Sequence, residues 1–194
     1  MQKTRLEAFS DGVLAIVITI MVLDLHIPKG DHLAALQPEL PVFLCYVLSF
    51  IYIGIYWNNH HHMLHAAMRV SGGALWANLH LLFWLSLFPF VTGWMGENNF
   101  AVMPTALYGF ILFMAGTAYW ILLRVLISVE GKESMLARAV GRDSKGKLSV
   151  VLYALAVPMA FINRWIAQSL YVLVTLIWLI PDRRIERMMA GTQE

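Results

Sequence analysis

Apolar runs about as long as a lipid bilayer is thick dominate this chain. An α-helix rises about 1.5 Å per residue and the hydrocarbon core is about 30 Å deep, so a run near 20 residues crosses it. Runs of this kind occupy residues 9–27, 40–57, 75–94 and 104–123, and a fifth apolar region, 148–180, is too long for one crossing. Asn163 and Arg164 divide that region into two arms, 148–162 and 165–180, which fit two thin spans or a re-entrant hairpin. Backbone N–H and C=O groups find no water inside a bilayer, so only helices and closed barrels cross it. Runs this long and continuous are helical. The expected fold is an all-α polytopic membrane protein, a single transmembrane domain over residues 1–194 with six transmembrane helices. Composition agrees, with 59% hydrophobic and only 13% charged residues against about half and a quarter in water-soluble domains.

The basic residues predict orientation, because Lys and Arg are enriched in cytoplasmic loops. Six crossings place twelve of the fourteen Lys and Arg on the side of the chain ends, chiefly Lys3, Arg5, the connector from Arg124 to Lys147, and Arg183, Arg184 and Arg187. Lys29 and Arg164 fall on the other side. Both termini are therefore expected in the cytoplasm, and an even number of crossings is favoured. The first apolar run follows Lys3 and Arg5 as a secretory signal would, but Asp11 interrupts its start and no small-x-small cleavage site follows, so it is read as a retained span. Trp57, Trp94, Trp120, Trp165 and Trp178 fall near span ends, where aromatic anchors sit.

Several function classes are absent from the pattern. The net charge of +2 is small and its Lys and Arg are segregated into a few segments, which makes no case for a nucleic-acid surface, and the single cysteine, Cys45, excludes an intrachain disulfide framework and a multi-cysteine metal site. The sequence holds no phosphate-binding glycine loop, no HExxH, no GxSxG and no TVGYG potassium filter. No enzymatic chemistry and no cofactor are expected.

The first span is the most informative. Steps of 100° per residue put Gly12, Ile16, Thr19, Ile20, Leu23 and Ile27 on one face and Leu14, Ile18, Met21 and Leu25 on the other. Spacing alone leaves the first face open to a second reading, a small-residue stripe of Gly12, Ala15 and Thr19 for close helix packing. Asp11 lies within about a turn of the boundary beside Arg5, Glu7 and Ser10. An ionisable group there marks either a salt-bridged structural network or a proton relay. His60, His61, His62 and His65 cluster at the end of the second span, and the i, i+4 spacing of His61 and His65 can chelate zinc or sense pH.

The string Arg5-Leu6-Glu7-Ala8-Phe9-Ser10-Asp11 matches the RxxxFSD signature opening the first helix of the transmembrane protein 175 family of potassium-permeable channels. Tyr56-Trp57-Asn58-Asn59-His60-His61, Asn78 with Pro89-Phe90, and Ile180-Pro181-Asp182-Arg183-Arg184 match further segments in order, so the chain resembles that family over nearly its whole length. Gly12 stands where alanine is common, and His62 extends the histidine pair.

The resemblance implies a homotetramer in a prokaryotic plasma membrane, with helix one lining a central pore and the lipid bilayer, potassium ions and further copies of itself as partners. Ile16 would form the constriction, Thr19 a hydroxyl layer, and Ile20 and Leu23 further apolar rings. Arg5, Phe9, Ser10, Asp11, Trp57, His60, His61 and Asn78 would form the network tying helix one to its neighbours. The expected function is a potassium-preferring cation channel whose selectivity comes from a hydrophobic constriction. The alternatives are a membrane enzyme or metal-handling protein using the His60 to His65 cluster, and a proton or broad cation pathway through the same pore.

Overall fold

A computed structural model describes residues 3–131, 133–141 and 143–179; the expectations placed on residues 180–184 and 187 lie outside these. The described residues form α1 (Lys3–Leu23), a 3-10 segment (Leu33–Glu39), α2 (Leu40–Ala66), α3 (Gly72–Ser86), α4 (Phe88–Glu97), α5 (Val102–Glu130), α6 (Met135–Val140), α7 (Ser144–Ile162) and α8 (Arg164–Leu179). The protein is all-helical. Five helical stretches are long and apolar enough to cross a bilayer, with α3 and α4 counted together, and α8 is a shorter apolar helix of 16 residues.

The helices differ from the hydropathy runs in instructive ways. α1 stops at Leu23, so Ile27, placed on its first face by periodicity, lies in the loop beyond it. The run 75–94 is two helices, because Leu87 closes α3 and Pro89 sits in the opening turn of α4, where a missing N–H costs nothing. α2 and α5 run past the ends of their apolar runs, α2 carrying the histidines to Ala66 and α5 continuing to Glu130. The polar connector holds a short helix, α6, capped by Ser134, whose side chain accepts from the amide of Ala137.

The two arms of the last region fold as an antiparallel pair. Trp178 near the end of α8 donates its indole N–H to Ser149 near the start of α7, at 2.8 Å. The turn at Asn163 reaches the far end of the bundle, where an Arg164 guanidinium N–H donates to the carbonyl of Asn99 (3.4 Å) and Phe100 packs on Trp165. The pair therefore runs from one end of the bundle to the other and back, rather than turning part-way. Lys3, Arg5, Arg69, Arg138 and Lys145 gather at one end of the bundle, and Lys29 and Arg164 at the other.

Hydroxyls and rings hold the interior together. Ser49 of α2 pairs with Thr92 of α4 (2.6 Å) and Tyr108 of α5 (2.9 Å), Tyr52 donates to the carbonyl of Tyr171 (2.6 Å), and Tyr171 donates to that of Thr105 (2.9 Å). Among the described residues no buried side-chain nitrogen or oxygen lacks a partner, as a lipid-immersed core requires. α2 and α4 touch at Gly96, where an added Cβ would lie 2.6 Å from the Cα of Val42. That neighbour is backbone and cannot swing aside. Gly96→Ala is expected to cost about 1–3 kcal/mol through overpacking, read as a lower unfolding temperature in detergent; an unchanged temperature contradicts this close approach.

Candidate functional site: the first span and its polar seam

α1 is covered on one side only. Leu6, Ser10, Leu14, Val17 and Met21, spaced four, four, three and four residues apart, form its buried face against α2, α3 and α4. The opposite strip is bare: Ile16 is 58% and Leu23 80% exposed, Ile20, Thr19, Ala15 and Gly12 are also exposed, and Leu14 and Met21 are 2% and 1%. Among the described residues, no atom beyond α1's own backbone and Gly12's chain neighbours lies within 4 Å of where a Cβ on Gly12 would stand. Ile18 is half-buried and packs on the core. Thr19 returns its hydroxyl proton to the carbonyl of Ile16 at 2.9 Å, which leaves oxygen lone pairs free.

The signature residues divide between a buried and an exposed contact. In the interior, Ser10 donates to the carbonyl of Leu6 (2.8 Å) and accepts from Nδ2 of Asn78 (2.9 Å), while Oδ1 of Asn78 accepts from Nε2 of His60 (2.7 Å). An amide oxygen can only accept, so His60 carries its proton on Nε2. All three side chains are buried, and the chain joins α1, α3 and α2. Nearer the surface, Nε1 of Trp57 donates to Oδ1 of Asp11 at 2.9 Å. His61 stacks on Trp57 and His65 on His61, each with ring centroids 6.1 Å apart. Arg5 is exposed and has no hydrogen bond or ion pair among the described residues, and Phe9 is half-exposed with no ring partner there.

A second fastening carries no sequence signal. Lys3 donates to the carbonyls of Ala67 (3.1 Å) and His65 (3.4 Å) and faces Glu7 at 3.8 Å. From the far side Glu130 of α5 accepts from the amides of Met68 and Arg69. The start of α1 and the end of α5 thus pin the α2–α3 linker. The groups lie more than 60 residues apart, beyond any periodicity. His61 packs on His62 and His65, with ring centroids 5.7 and 6.1 Å away, and among the described residues no group of three or more His, Cys, Asp and Glu side chains could hold a metal ion.

Fold and seam together define a polytopic α-helical membrane protein whose first span is locked to α2 and α3 along one face and left open along the other. The family described as endosomal/lysosomal potassium channel TMEM175 matches residues 5–89. The chain is 54% identical to a Chryseobacterium protein named a potassium channel, over 97% of this chain and 98% of that one. It is 38% identical to the human endosomal/lysosomal proton channel TMEM175, over 43% of this chain and 19% of the human protein. A crystal structure of a homolog, from Chamaesiphon minutus, of the lysosomal potassium-selective channel TMEM175 superimposes with a TM-score of 0.78 at 24% identity, covering 92% of this chain and 96% of that one. The chain belongs to the TMEM175 family, a family of ion channels rather than of enzymes. It is a membrane-embedded cation channel.

Proposed function

We propose that this chain is one subunit of a homotetrameric, potassium-preferring channel in a prokaryotic cell membrane, with both termini cytoplasmic. The observation that carries the reading is the bare strip of Gly12, Ile16, Thr19, Ile20 and Leu23 on α1. One copy cannot enclose a path lined by a single helix, so several copies must bring their strips to a common axis. Ile16 forms the narrowest ring. Aliphatic side chains offer no ligand to replace an ion's hydration shell, so an ion crossing the ring sheds part of its water uncompensated. Potassium gives up water at lower cost than sodium, and the same apolar ring closes by dewetting when it narrows. The free lone pairs of Thr19, three residues along, give partial compensation beside the barrier. The Ser10–Asn78–His60 chain holds α1 in register so that the ring keeps its diameter.

The potassium preference is supported by the name of the Chryseobacterium relative, which spans nearly the whole chain; the proton-channel name belongs to relatives that share only part of it. Reversal potentials of purified protein in liposome-derived bilayers, under separate potassium, sodium and proton gradients, test the preference. A potential following the potassium gradient is expected. One following only the proton gradient overturns the potassium assignment. Native mass measurement in mild detergent with lipid retained should give four copies, and a monomer contradicts the assembly.

A further inference from the structure

The end of α1 remote from the seam borders an open cleft of about 480 Å³, between Leu23 with the residues after it and the face of α4 from Pro89 to Glu97. That volume lies within the range of small-molecule sites. Two kinds of surface meet in it. Phe90 and Trp94, one turn apart on α4, stack with ring centroids 6.0 Å apart and planes 23° apart. Gly93 between them leaves the wall bare, with an Asp24 carboxylate oxygen 4.0 Å from where its Cβ would stand. The carboxylates of Asp24 and Glu97 line the same cleft. Glu97 faces Nε2 of His26 at 3.9 Å, and Nδ1 of His26 faces Glu39 at 3.5 Å. Asp24 has no hydrogen bond or ion pair among the described residues.

We propose that this cleft binds small organic ammonium cations carrying an apolar group. The ammonium lies between Asp24 and Glu97, and the apolar part lies on the Phe90–Trp94 face, where the ring quadrupoles add to the attraction. Charge complementarity selects the occupant: a neutral apolar molecule leaves the carboxylates unused, and a bare inorganic ion finds a space too wide to replace its water. Leu23 forms part of the wall, so a bound cation sits beside the outermost apolar ring and is expected to reduce current. That effect rests on the pore reading given above, whereas binding does not.

The experiment titrates the purified full chain in detergent with benzylammonium and, in parallel, with its uncharged analogue benzyl alcohol, by calorimetry or saturation-transfer NMR. Benzylammonium is expected to bind saturably and at least about tenfold more tightly than benzyl alcohol, the scale of one charge-assisted contact. Asp24→Asn should weaken it about five- to tenfold, and Phe90→Ala should weaken both probes. Both positions are exposed, and elution of each variant at the wild-type position checks its fold. Equal affinity for the two probes, or an unchanged affinity in Asp24→Asn, overturns the cleft as an ammonium site. A protein that conducts potassium and fails to bind benzylammonium loses this proposal alone, and one that binds and carries no current loses the pore reading alone.

Discussion

Ile16→Ala is expected to collapse the discrimination between potassium and sodium while leaving the protein assembled. In the proposed tetramer, shortening the four Ile16 side chains widens the path at that ring, so ions cross with more of their water and the sodium penalty shrinks. Conductance should rise, or the closed state should leak. Ile16→Asn should act in the same direction by a different route, because a polar wall stays wet and dewetting needs an apolar one. Ile16 is more than half exposed on a single chain, so neither change removes a core contact within the subunit. Ile18→Ala is the control. Ile18 packs on the interior, so its loss should lower stability and leave the reversal potential where it was. Unchanged selectivity in both Ile16 variants, with normal assembly, moves the filter elsewhere.

Asn78→Leu should be the most damaging conservative change in the seam. Leucine nearly matches asparagine in volume, but it leaves the Nε2–H of His60 and the hydroxyl oxygen of Ser10 without the partner each has at 2.7 and 2.9 Å. A stranded buried donor costs about 1–3 kcal/mol, and the bilayer supplies no water to relieve it. The expected result is poor yield and an unfolding temperature lowered by several degrees in detergent. Replacing His60 by Leu in the same chain should recover part of the loss, since removing both partners of a buried hydrogen bond is far less costly than removing one. Trp57→Phe breaks only the exposed bond to Asp11 and should cost under about 1 kcal/mol. A double variant no better than Asn78→Leu contradicts the pairing.

Hydropathy made the class of fold legible, because the bilayer fixes the length of an apolar run, while the helices depart from the apolar runs at their ends. Its failures have a common origin. A helix does not end where the lipid ends: α2 continues through His60 to Ala66, held by Lys3 on its linker, and α5 continues until Glu130 caps the same linker. Conversely, residues 24–27 include Leu25 and Ile27 yet are not helical, and a hydropathy window cannot see that. The break at Leu87 was foreshadowed by Pro89, a backbone signal that an apolar average ignores.

In the site, periodicity separated the two faces of α1, and the bare strip falls where the wheel put Gly12, Ile16, Thr19, Ile20 and Leu23. Ser10 and Asp11 are adjacent in the signature, and steps of 100° turn both away from that face. The structure parts them, Ser10 buried on Asn78 and Asp11 exposed on Trp57. Partners 68 and 46 residues away cannot be found from spacing within one helix. Asn78 came into view through resemblance alone, and His60 first as one of a histidine cluster whose partner on α3 spacing could not supply. Arg5, grouped with them by the signature, stands apart from the seam.

Cysteine accessibility along α1 tests most directly whether that bare strip lines the ion path. Cys45 is buried and is first replaced by Ala to give a silent background. Single changes Ile16→Cys, Thr19→Cys, Ile20→Cys and Leu23→Cys are then compared with Leu14→Cys and Ile18→Cys, with silver ions applied to open channels in a bilayer. Rapid, irreversible loss of potassium current is expected in the first four and little change in the last two. Loss of current at positions 14 and 18 with protection at 16, 19, 20 and 23 would contradict that expectation, and the ion path would have to run along another face.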